Sequence, residues 1–478
     1  MHTPPAEKKV LEQLEQGFPL YLEDVRAAIR QPSVSRTGEG VEKMAAWLVS
    51  YLRNLGAEAR LVSGVRFPLI EGELLSAGSA KTLLLYGLYD VQPAEETGWI
   101  SPPFEAKIHP TDGGGEKIVG RGAFNSKGPL IGFLAVLRAF QDVGIPLPVN
   151  LRFVLEGEEE IGSPSLEPYV RRNLERLRQC DAAFIPYMGT DSRGRTQIRL
   201  GFKGLLLLEF SVEGGAWGGP ARNDLHAMHI GWVHSPAWEL LNALVSLQSQ
   251  NGCLHIDGLD SFMTGPSTED RALVQELAQS FESHRWLAAL GVQRFKYPND
   301  PVPLLTHLMF DPTLNVQAVW IGQNKPGEEP PTVMPMRVLA HADLRLVPGM
   351  DVDTTLNCLR AHLDRRGFQH VKVRAKAAYP ASKTSVREPV VQSLIAACRK
   401  HAERVEVFPL HAGAAPLYLF SDLVGIPFAF GGLGHGMLSH VANEYISVEG
   451  LRLFQRSMAS FLFEFGRQES QGRWQPTS

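Results

Sequence analysis

The chain of 478 residues contains only four cysteines, and none of them forms a Cys-x-x-Cys motif. It therefore lacks the cysteine pattern of a disulfide-rich secreted domain and that of a cysteine zinc site. No stretch approaches the roughly 18 consecutive apolar residues that a membrane-spanning helix needs. The first residues also lack the basic region and apolar run of a signal peptide. We therefore expect a cytoplasmic protein with no membrane partner.

An excess of positive charge is also absent. The 47 Lys and Arg residues are balanced by 51 Asp and Glu residues, which gives a formal net charge of −4 with His neutral. This balance argues against a nucleic-acid-binding surface. The hydrophobic content of 44% is ordinary for a soluble globular protein. At about 150 residues per domain, the length predicts two or three domains.

The first 200 residues alternate between strand-like and helix-like patterns. Short apolar runs at 82–86, 151–155 and 182–185 are typical of buried parallel strands. Between the first two runs, residues 130–137 carry apolar side chains at helical spacing. Strand, helix and strand in this order predict a mostly parallel sheet, and in such sheets the chemistry lies beyond the carboxyl ends of the strands.

The middle of the chain follows a different order. We predict strands at 204–212, 313–321, 336–347 and 371–377, and helices at 237–247 and 354–365. This is the β-α-β-β-α-β order of a ferredoxin-like α+β domain, and the last hundred residues return to the first pattern. The predicted architecture is an α/β domain formed by 1–202 and 381–478, interrupted by a lid or dimerisation domain at 203–380.

Four polar segments lie where predicted strands end, at 87–93, 120–128, 156–163 and 440–444. The third has four acidic residues among five positions, which would repel one another if all faced inward. Taken alone, such a segment is more often a solvated acidic turn.

Together these segments resemble the co-catalytic zinc peptidases and deacylases, which include carnosinase-type dipeptidases, acetylornithine deacetylase and carboxypeptidase G. The resemblance covers nearly the whole chain, with further ordered matches at 99–105, 200–204, 332–335 and 343–348. It implies a zinc-peptidase-like α/β domain with an inserted lid domain, and a homodimer. It also implies a small dipeptide-like or N-acyl amino acid substrate that carries a carboxylate.

Three metal-ligand positions of the family are altered in this sequence. Leu88 stands where the family has a histidine, Asn125 where it has a bridging aspartate, and Tyr187 where it has another aspartate. A leucine cannot coordinate a metal, and an amide oxygen is a neutral, weaker ligand. A tyrosine is neutral near pH 7. The resemblance therefore implies that one of the two metals has lost every protein ligand.

Other family positions are intact. Glu160 and His440 match ligands of the second metal, Glu159 matches the general base, and Asp90 matches the acid that orients the missing histidine. A catalytic zinc usually has three protein ligands. We therefore expect no two-zinc centre, and either no metal or one weakly bound divalent ion at Glu160 and His440, with Asn125 as a weak third ligand.

The resemblance also assigns residues to substrate binding. His226 matches a histidine that stabilises the developing oxyanion, and Arg345 matches an arginine that binds the substrate carboxylate. Thr332 lies in the matching hinge segment. Gly413 begins a Gly-Ala-Ala-Pro loop where the family has Gly-Gly-Ser-Ile-Pro. For Arg345, an ordinary surface ion pair on a strand is an equal alternative.

Three functions remain open from the sequence. The first is metal-independent acyl, amide or acid–base chemistry, with Glu159 as the acid or base and Tyr187, Asn125 and His226 as hydrogen-bond donors. The second is a single-metal amidohydrolase or dipeptidase. The third is a catalytically silent, dimeric binding protein. Because Glu159, Arg345 and His226 survive, we favour an enzyme, and we rank the metal-independent chemistry first.

Overall fold

The computed structural model describes residues 4–111, 113–249, 251–322 and 332–468. The chain forms two compact units. The first unit contains Met1–Leu200, Thr384–Phe408 and Leu419–Ser478, and the second contains Gly201–Lys383 and Pro409–Tyr418.

The strands, numbered in chain order, belong to the sheets of both units. They are β1 (Glu58–Val62), β2 (Leu69–Leu74), β3 (Thr82–Leu88), β4 (Lys107–Pro110), β5 (Glu116–Val119), β6 (Asn150–Glu156), β7 (Ala182–Pro186), β8 (Arg195–Arg199), β9 (Gly201–Glu213), β10 (Leu225–His226), β11 (Thr313–Ile321), β12 (Val333–Met334), β13 (Arg337–Leu346), β14 (Lys372–Tyr379), β15 (Ser382–Lys383), β16 (Arg404–Phe408), β17 (His411–Ala414), β18 (Phe428–Gly431), β19 (Gly436–Met437) and β20 (Tyr445–Ser447).

The α-helices are numbered in the same way. They are α1 (Pro5–Gln16), α2 (Phe18–Arg30), α3 (Val41–Asn54), α4 (Lys127–Asp142), α5 (Leu166–Arg172), α6 (Leu174–Leu177), α7 (Pro236–Ser246), α8 (Thr268–Gln279), α9 (Ser283–Leu290), α10 (Pro301–Phe310), α11 (Val352–Arg365), α12 (Pro389–His401) and α13 (Val448–Arg467). None of the helices in the described ranges is both long and apolar enough to cross a membrane.

An eight-stranded sheet forms the centre of the first unit, in the order β1-β2-β6-β3-β7-β18-β8-β16. Its central strands β6, β3, β7 and β18 run parallel to one another. Strands β3 and β7 are buried almost along their whole length, as their unbroken apolar runs require. Helix α4 packs on both of them and is itself covered by α2 and α13, so it is buried on nearly every side.

The parallel strands determine where the site lies. Because β3, β6, β7 and β18 share one direction, Leu88, Glu156, Pro186 and Gly431 end their strands at the same edge of the sheet. The polar segments at 87–93 and 156–163 begin at two of these ends, whereas 120–128 follows β5 and 440–444 lies between β19 and β20. The prediction of a mostly parallel α/β sheet is confirmed.

A six-stranded sheet lies in the second unit; four of its strands are antiparallel in the order β11-β13-β9-β14, and β15 and β17 also pair with β9. Alternate apolar residues of β9 and β13 point into one core, and α7 and α11 contribute buried residues to it. The predicted β-α-β-β-α-β order is confirmed. Strand β17 lies in this unit because it pairs with β9, so Gly413 lies here and not in the α/β unit to which its segment was assigned.

Candidate active site

Asp90 organises the acidic turn that follows β6. It is fully buried and accepts the backbone N–H of Glu159 on Oδ1 at 3.2 Å and that of Glu160 on Oδ2 at 3.0 Å. The turn at Glu159–Ile161 is a single 3-10 turn. Asp90 therefore fixes the backbone of both glutamates, although the histidine that the family places at position 88 is absent.

The four acidic side chains of the turn have different surroundings. Glu156 and Glu158 are buried, whereas Glu159 and Glu160 are half-buried. Glu158 accepts the backbone N–H groups of Arg66 and of Ser165. The reading of this segment as a solvated acidic turn is therefore wrong, because its buried carboxylates have specific donors.

Burial changes the protonation of these acids. It raises the pKa of Glu156 to about 8 and that of Asp90 to about 7. Burial, together with the charges of Glu160, Asp90 and Glu156, raises the pKa of Glu159 well above its usual range. Glu156 accepts hydrogen bonds from the Tyr86 hydroxyl and, at 3.0 Å, from the Ser163 hydroxyl.

Glu160, Asn125 and His440 form one hydrogen-bonded cluster. The Asn125 amide donates from Nδ2 to Glu160 Oε1 at 2.7 Å, and His440 Nε2 lies 3.0 Å from the same oxygen. Asn125 Nδ2 and His440 Nε2 are 3.1 Å apart. The contact with Glu160 raises the pKa of His440. Two family ligand positions are therefore bonded to each other and to the residue that replaces the bridging aspartate.

The backbone of His440 is strained. Its φ of 66° lies in the left-handed region, as do the φ angles of Leu438 (67°) and Asn443 (65°). Residues other than glycine rarely adopt this conformation. Asn443 is anchored, because its side chain accepts the N–H of Ile100 at 2.8 Å and donates to the Gly98 carbonyl at 2.9 Å.

A buried ion pair holds the loop that carries Asn125. Arg121 and Glu444 are 1% and 0% exposed, and Arg121 Nη1 lies 3.0 Å from Glu444 Oε2. The same carboxylate accepts the backbone N–H groups of Gly122, Phe124 and Asn125 at 2.9–3.0 Å. Sequence reasoning missed this role because the two residues are 323 positions apart.

Gln92 is a second residue that the sequence analysis missed. Its Nε2 donates to Glu160 Oε2 at 2.9 Å and to the Glu160 carbonyl at 3.1 Å. Glu160 therefore receives hydrogen bonds on both carboxylate oxygens. The available signal was the position of Gln92 in the 87–93 segment, two residues after Asp90.

Leu88 and Tyr187 stand at two further positions that match metal ligands of the family. Leu88 is half-buried at the end of β3. The Tyr187 ring packs between Phe124 and Phe430, with ring centroids 5.3 Å and 4.9 Å away. Tyr187 is thus part of an aromatic wall next to Asn125.

The donor set does not fit a two-zinc centre. Within the described part of the chain, no group of three or more His, Cys, Asp or Glu side chains is arranged to hold a metal ion. Glu160 and His440 are two such donors, and Asn125 presents its N–H, not its oxygen, to Glu160. Because three protein ligands are usual at a catalytic zinc, these residues fall short of the set that the family's chemistry needs.

The predicted substrate-binding residues lie in the second unit. The ribbon of β10 and β12 brings His226 next to Thr332, whose carbonyl accepts the Ala227 N–H at 3.0 Å. His226 is exposed, and its Nδ1 accepts the Met228 N–H at 3.2 Å.

Arg345 and Gly413 lie on two strands that both pair with β9. Arg345 Nε donates to Asp343 Oδ1 at 2.9 Å. This is the ion pair on a strand that the sequence left as the alternative to carboxylate binding. The Gly413 N–H donates to His411 Nδ1 at 3.0 Å.

Comparison with known proteins identifies the family. The model described as Peptidase family M20/M25/M40 matches residues 84–464. The Cys-Gly metallodipeptidase dug1 of Schizosaccharomyces pombe is 30% identical over 377 residues, 75% of each chain. The Beta-Ala-His dipeptidase of Rattus norvegicus is 28% identical over 354 residues, 70% of this chain and 69% of that protein.

Solved structures agree with this result. The M20 family metallo-carboxypeptidase Sso-CP2 from Sulfolobus solfataricus has a TM-score of 0.84 at 30% identity, covering 94% of this chain and 99% of that one. Human carnosine dipeptidase 1 shares the fold with a TM-score of 0.78 at 22% identity, covering 98% and 100%. The resemblance drawn from the sequence is confirmed, and the chain belongs to the M20 peptidase family.

Proposed function

We propose that this protein acts on a small dipeptide-like or N-acyl amino acid substrate without a two-metal centre, and that Glu159 is its general acid or base. The observation that carries the proposal is the chemistry at three positions that match metal ligands of the family, which hold Leu88, Asn125 and Tyr187. A leucine side chain has no donor atom, and the Asn125 amide donates its N–H to Glu160. Proton transfer by the protein's own groups is therefore the chemistry that we propose.

Glu159 is suited to proton transfer. Its raised pKa brings the carboxyl group closer to the pH at which it can both accept and donate a proton. Asp90 holds its backbone in place. Acyl transfer, amide formation, cyclisation and proton abstraction next to a carbonyl all need such a group. Asn125, Tyr187 and His226 are the proposed donors to negative charge that develops on the substrate.

The substrate class is taken from the relatives. Their names describe dipeptidases for Cys-Gly, for Beta-Ala-His and for cysteinylglycine S-conjugates. We propose that Thr332, Gly413 and Arg345 contact such a substrate, as their counterparts in the family do. The homodimer, the cytoplasmic location and the domain boundaries at 202 and 380 are proposals of the same kind.

Metal analysis of the purified protein tests the first half of the proposal. We expect well under one equivalent of zinc per chain, and turnover that a chelator does not change. Two tightly bound metals per chain, or turnover that disappears with chelator and returns with zinc, would contradict it.

Substitution of the acid tests the second half. Glu159→Gln should lower turnover of a dipeptide or N-acyl amino acid by at least about 100-fold, which is typical for the loss of a general acid or base. Glu95→Gln, at an exposed glutamate in the same unit, is the matched control and should keep full activity. Unchanged turnover in Glu159→Gln would remove this residue from the mechanism.

A single-metal hydrolase is the second candidate, and one distance favours it. Glu160 Oε1 and His440 Nε2 are 3.0 Å apart, so both could bind one cation after the Asn125 amide moves. Saturable activation by one equivalent of zinc, lost in His440→Ala, would establish this function. Ligand binding without any turnover would establish the silent binding protein.

A further inference from the structure

Arg199 is an arginine that neither the sequence motifs nor the proposed mechanism uses. It ends β8 and lies opposite Phe430 of β18, and Phe430 in turn lies opposite Ile185 of β7. Tyr187 comes two residues after Ile185. Arg199 is therefore located near the edge of the sheet where the parallel strands end, on the side of Tyr187.

Two aromatic rings hold its guanidinium group. The Arg199 Cζ atom lies 5.0 Å from the centroid of the Tyr187 ring and 5.7 Å from that of Phe430. The two rings are themselves 4.9 Å apart. A guanidinium over aromatic faces is attracted to them and loses part of its freedom to rotate. The planar donor group of Arg199 is thus preorganised.

Among the described residues, the Nε atom of Arg199 has no hydrogen-bond acceptor. This atom is buried, and Arg199 forms no ion pair with any residue of the described ranges. A buried donor without an acceptor costs about 1–3 kcal/mol and is rare. By contrast, Arg345 is paired with Asp343 and Arg121 with Glu444. Arg199 therefore differs from both in having a free donor near the active site.

Position 187 supplies one of the two rings beside Arg199. An aspartate there, as the family has, would place a carboxylate beside Arg199. Tyrosine offers an aromatic face in its place. The Tyr187 ring also packs on Phe124, and the next residue, Asn125, donates to Glu160. Arg199 is thus connected to the Glu160 cluster through one aromatic wall.

We propose that Arg199 binds the carboxylate of the substrate, whereas Arg345, which is paired with Asp343, contacts another part of it. A carboxylate accepts two parallel hydrogen bonds from a guanidinium group, which suits a planar donor held by two rings. This inference rests on the proposed function for the identity of the substrate class. It does not depend on which reaction follows.

Calorimetric titration with N-acetylglycine, glycylglycine and the neutral N-acetylglycinamide tests the assignment. We expect the two carboxylates to bind the wild type. Arg199→Gln should weaken their binding by about 10-fold to 100-fold, as loss of a charged hydrogen-bonding pair does, and Arg199→Lys should lie between the two. The amide should bind weakly to every variant.

Arg452 provides a matched control, because its guanidinium group also lies over an aromatic ring. Arg452 has its Cζ 3.8 Å from the Phe18 ring centroid and is paired with Glu15. Arg452→Gln should leave the affinities for both carboxylates unchanged. Inorganic phosphate is a second probe. If phosphate bound as tightly as N-acetylglycine and lost as much affinity in Arg199→Gln, a general anion site would replace the carboxylate assignment.

The melting temperature of Arg199→Gln distinguishes a role of Arg199 in binding from a role in stabilising the fold. Arg199→Gln loses the contacts with two rings but also removes a buried Nε that has no acceptor, so the melting temperature should change little. Unchanged affinity in this variant, or a wild type that binds neither carboxylate, would overturn the inference. Glu159→Gln should still bind N-acetylglycine, so a failure of the proposed general acid or base is distinguishable from a failure at Arg199.

Discussion

Two groups of residues in the candidate active site differ: those that support its loops, and those at positions that match metal ligands of the family. The supporting residues Asp90, Arg121 and Glu444 are buried and form hydrogen bonds to the loops around them. Leu88 and Tyr187 stand at positions that match metal ligands of the family and carry other side chains. The buried hydrogen bonds that support the site are thus present, while residues at two of the matching ligand positions differ from the family.

If this contrast is correct, restoring the ligand positions should restore metal binding. The triple variant Leu88→His, Asn125→Asp and Tyr187→Asp should bind zinc at least about 1,000-fold more tightly than the wild type, since three ligands of family type return to a scaffold that is already formed. Calorimetry with zinc measures the change. The control Leu88→Phe, Asn125→Gln and Tyr187→Phe alters the same positions without adding a zinc ligand. Equal zinc affinity in both variants would mean that the scaffold has also changed.

Removing the Arg121–Glu444 ion pair, which supports the loop of Asn125, should have the next largest effect. Glu444→Gln removes the buried counter-charge of Arg121 and leaves the half-buried Glu96 as its remaining carboxylate partner, so the free energy of unfolding should fall by about 1–3 kcal/mol. Denaturant unfolding followed by circular dichroism measures this loss. Glu449→Gln is the control, because the Glu449 side chain is 71% exposed and its removal should change stability by less than about 0.5 kcal/mol. A loss below about 1 kcal/mol in Glu444→Gln would show that the ion pair does not hold the loop.

The smallest effect concerns the pH dependence of stability. The pKa of Glu156 is about 8 in the folded protein against an ordinary value of 4.5. Between pH 4.5 and 8 the folded state therefore holds a proton that the unfolded state releases, so Glu156 makes the protein less stable as pH rises through this window. Glu156→Gln removes this pH-dependent contribution to stability.

Unfolding at pH 5 and at pH 8 measures the contribution of Glu156. The wild type should lose about 1–2 kcal/mol more than Glu156→Gln between the two values, because one pKa unit corresponds to about 1.4 kcal/mol. Ser163→Gln is not a suitable control, since Ser163 contacts Glu156 directly. Glu105→Gln, at an exposed glutamate, should keep the wild-type pH dependence. An identical decrease in the wild type and Glu156→Gln would mean that Glu156 is ionised in the folded protein.

The sequence predicted the parts of the structure that have a local pattern. Apolar runs and helical spacing identified β3, β6, β7 and α4, because burial imposes a period on each segment. Family motifs identified Glu159, Glu160, Asn125 and His440, and the structure brings the last three into contact. The side on which each acidic residue of 156–160 would lie could not be predicted, because it depends on donors from distant segments.

The missed features all depend on contacts between residues that are far apart in sequence. Arg121 and Glu444 meet across 323 positions, and strand β17 pairs with β9 although about 200 residues separate them in the chain. Arg199 carries no motif at all. Its environment consists of two rings from other strands and the absence of an acceptor, neither of which leaves a pattern in the sequence around it.

The loop that carries His440 has a mechanical consequence. Three residues other than glycine adopt left-handed backbone angles within the six positions from Leu438 to Asn443, and each costs about 1 kcal/mol or more. The hydrogen bonds of Asn443 and Glu444 hold the backbone of this loop in its left-handed conformation. Loss of either set of bonds should let the backbone relax to extended angles and move the His440 imidazole away from Glu160. The Glu160–His440 contact therefore depends on the side chains of Asn443 and Glu444.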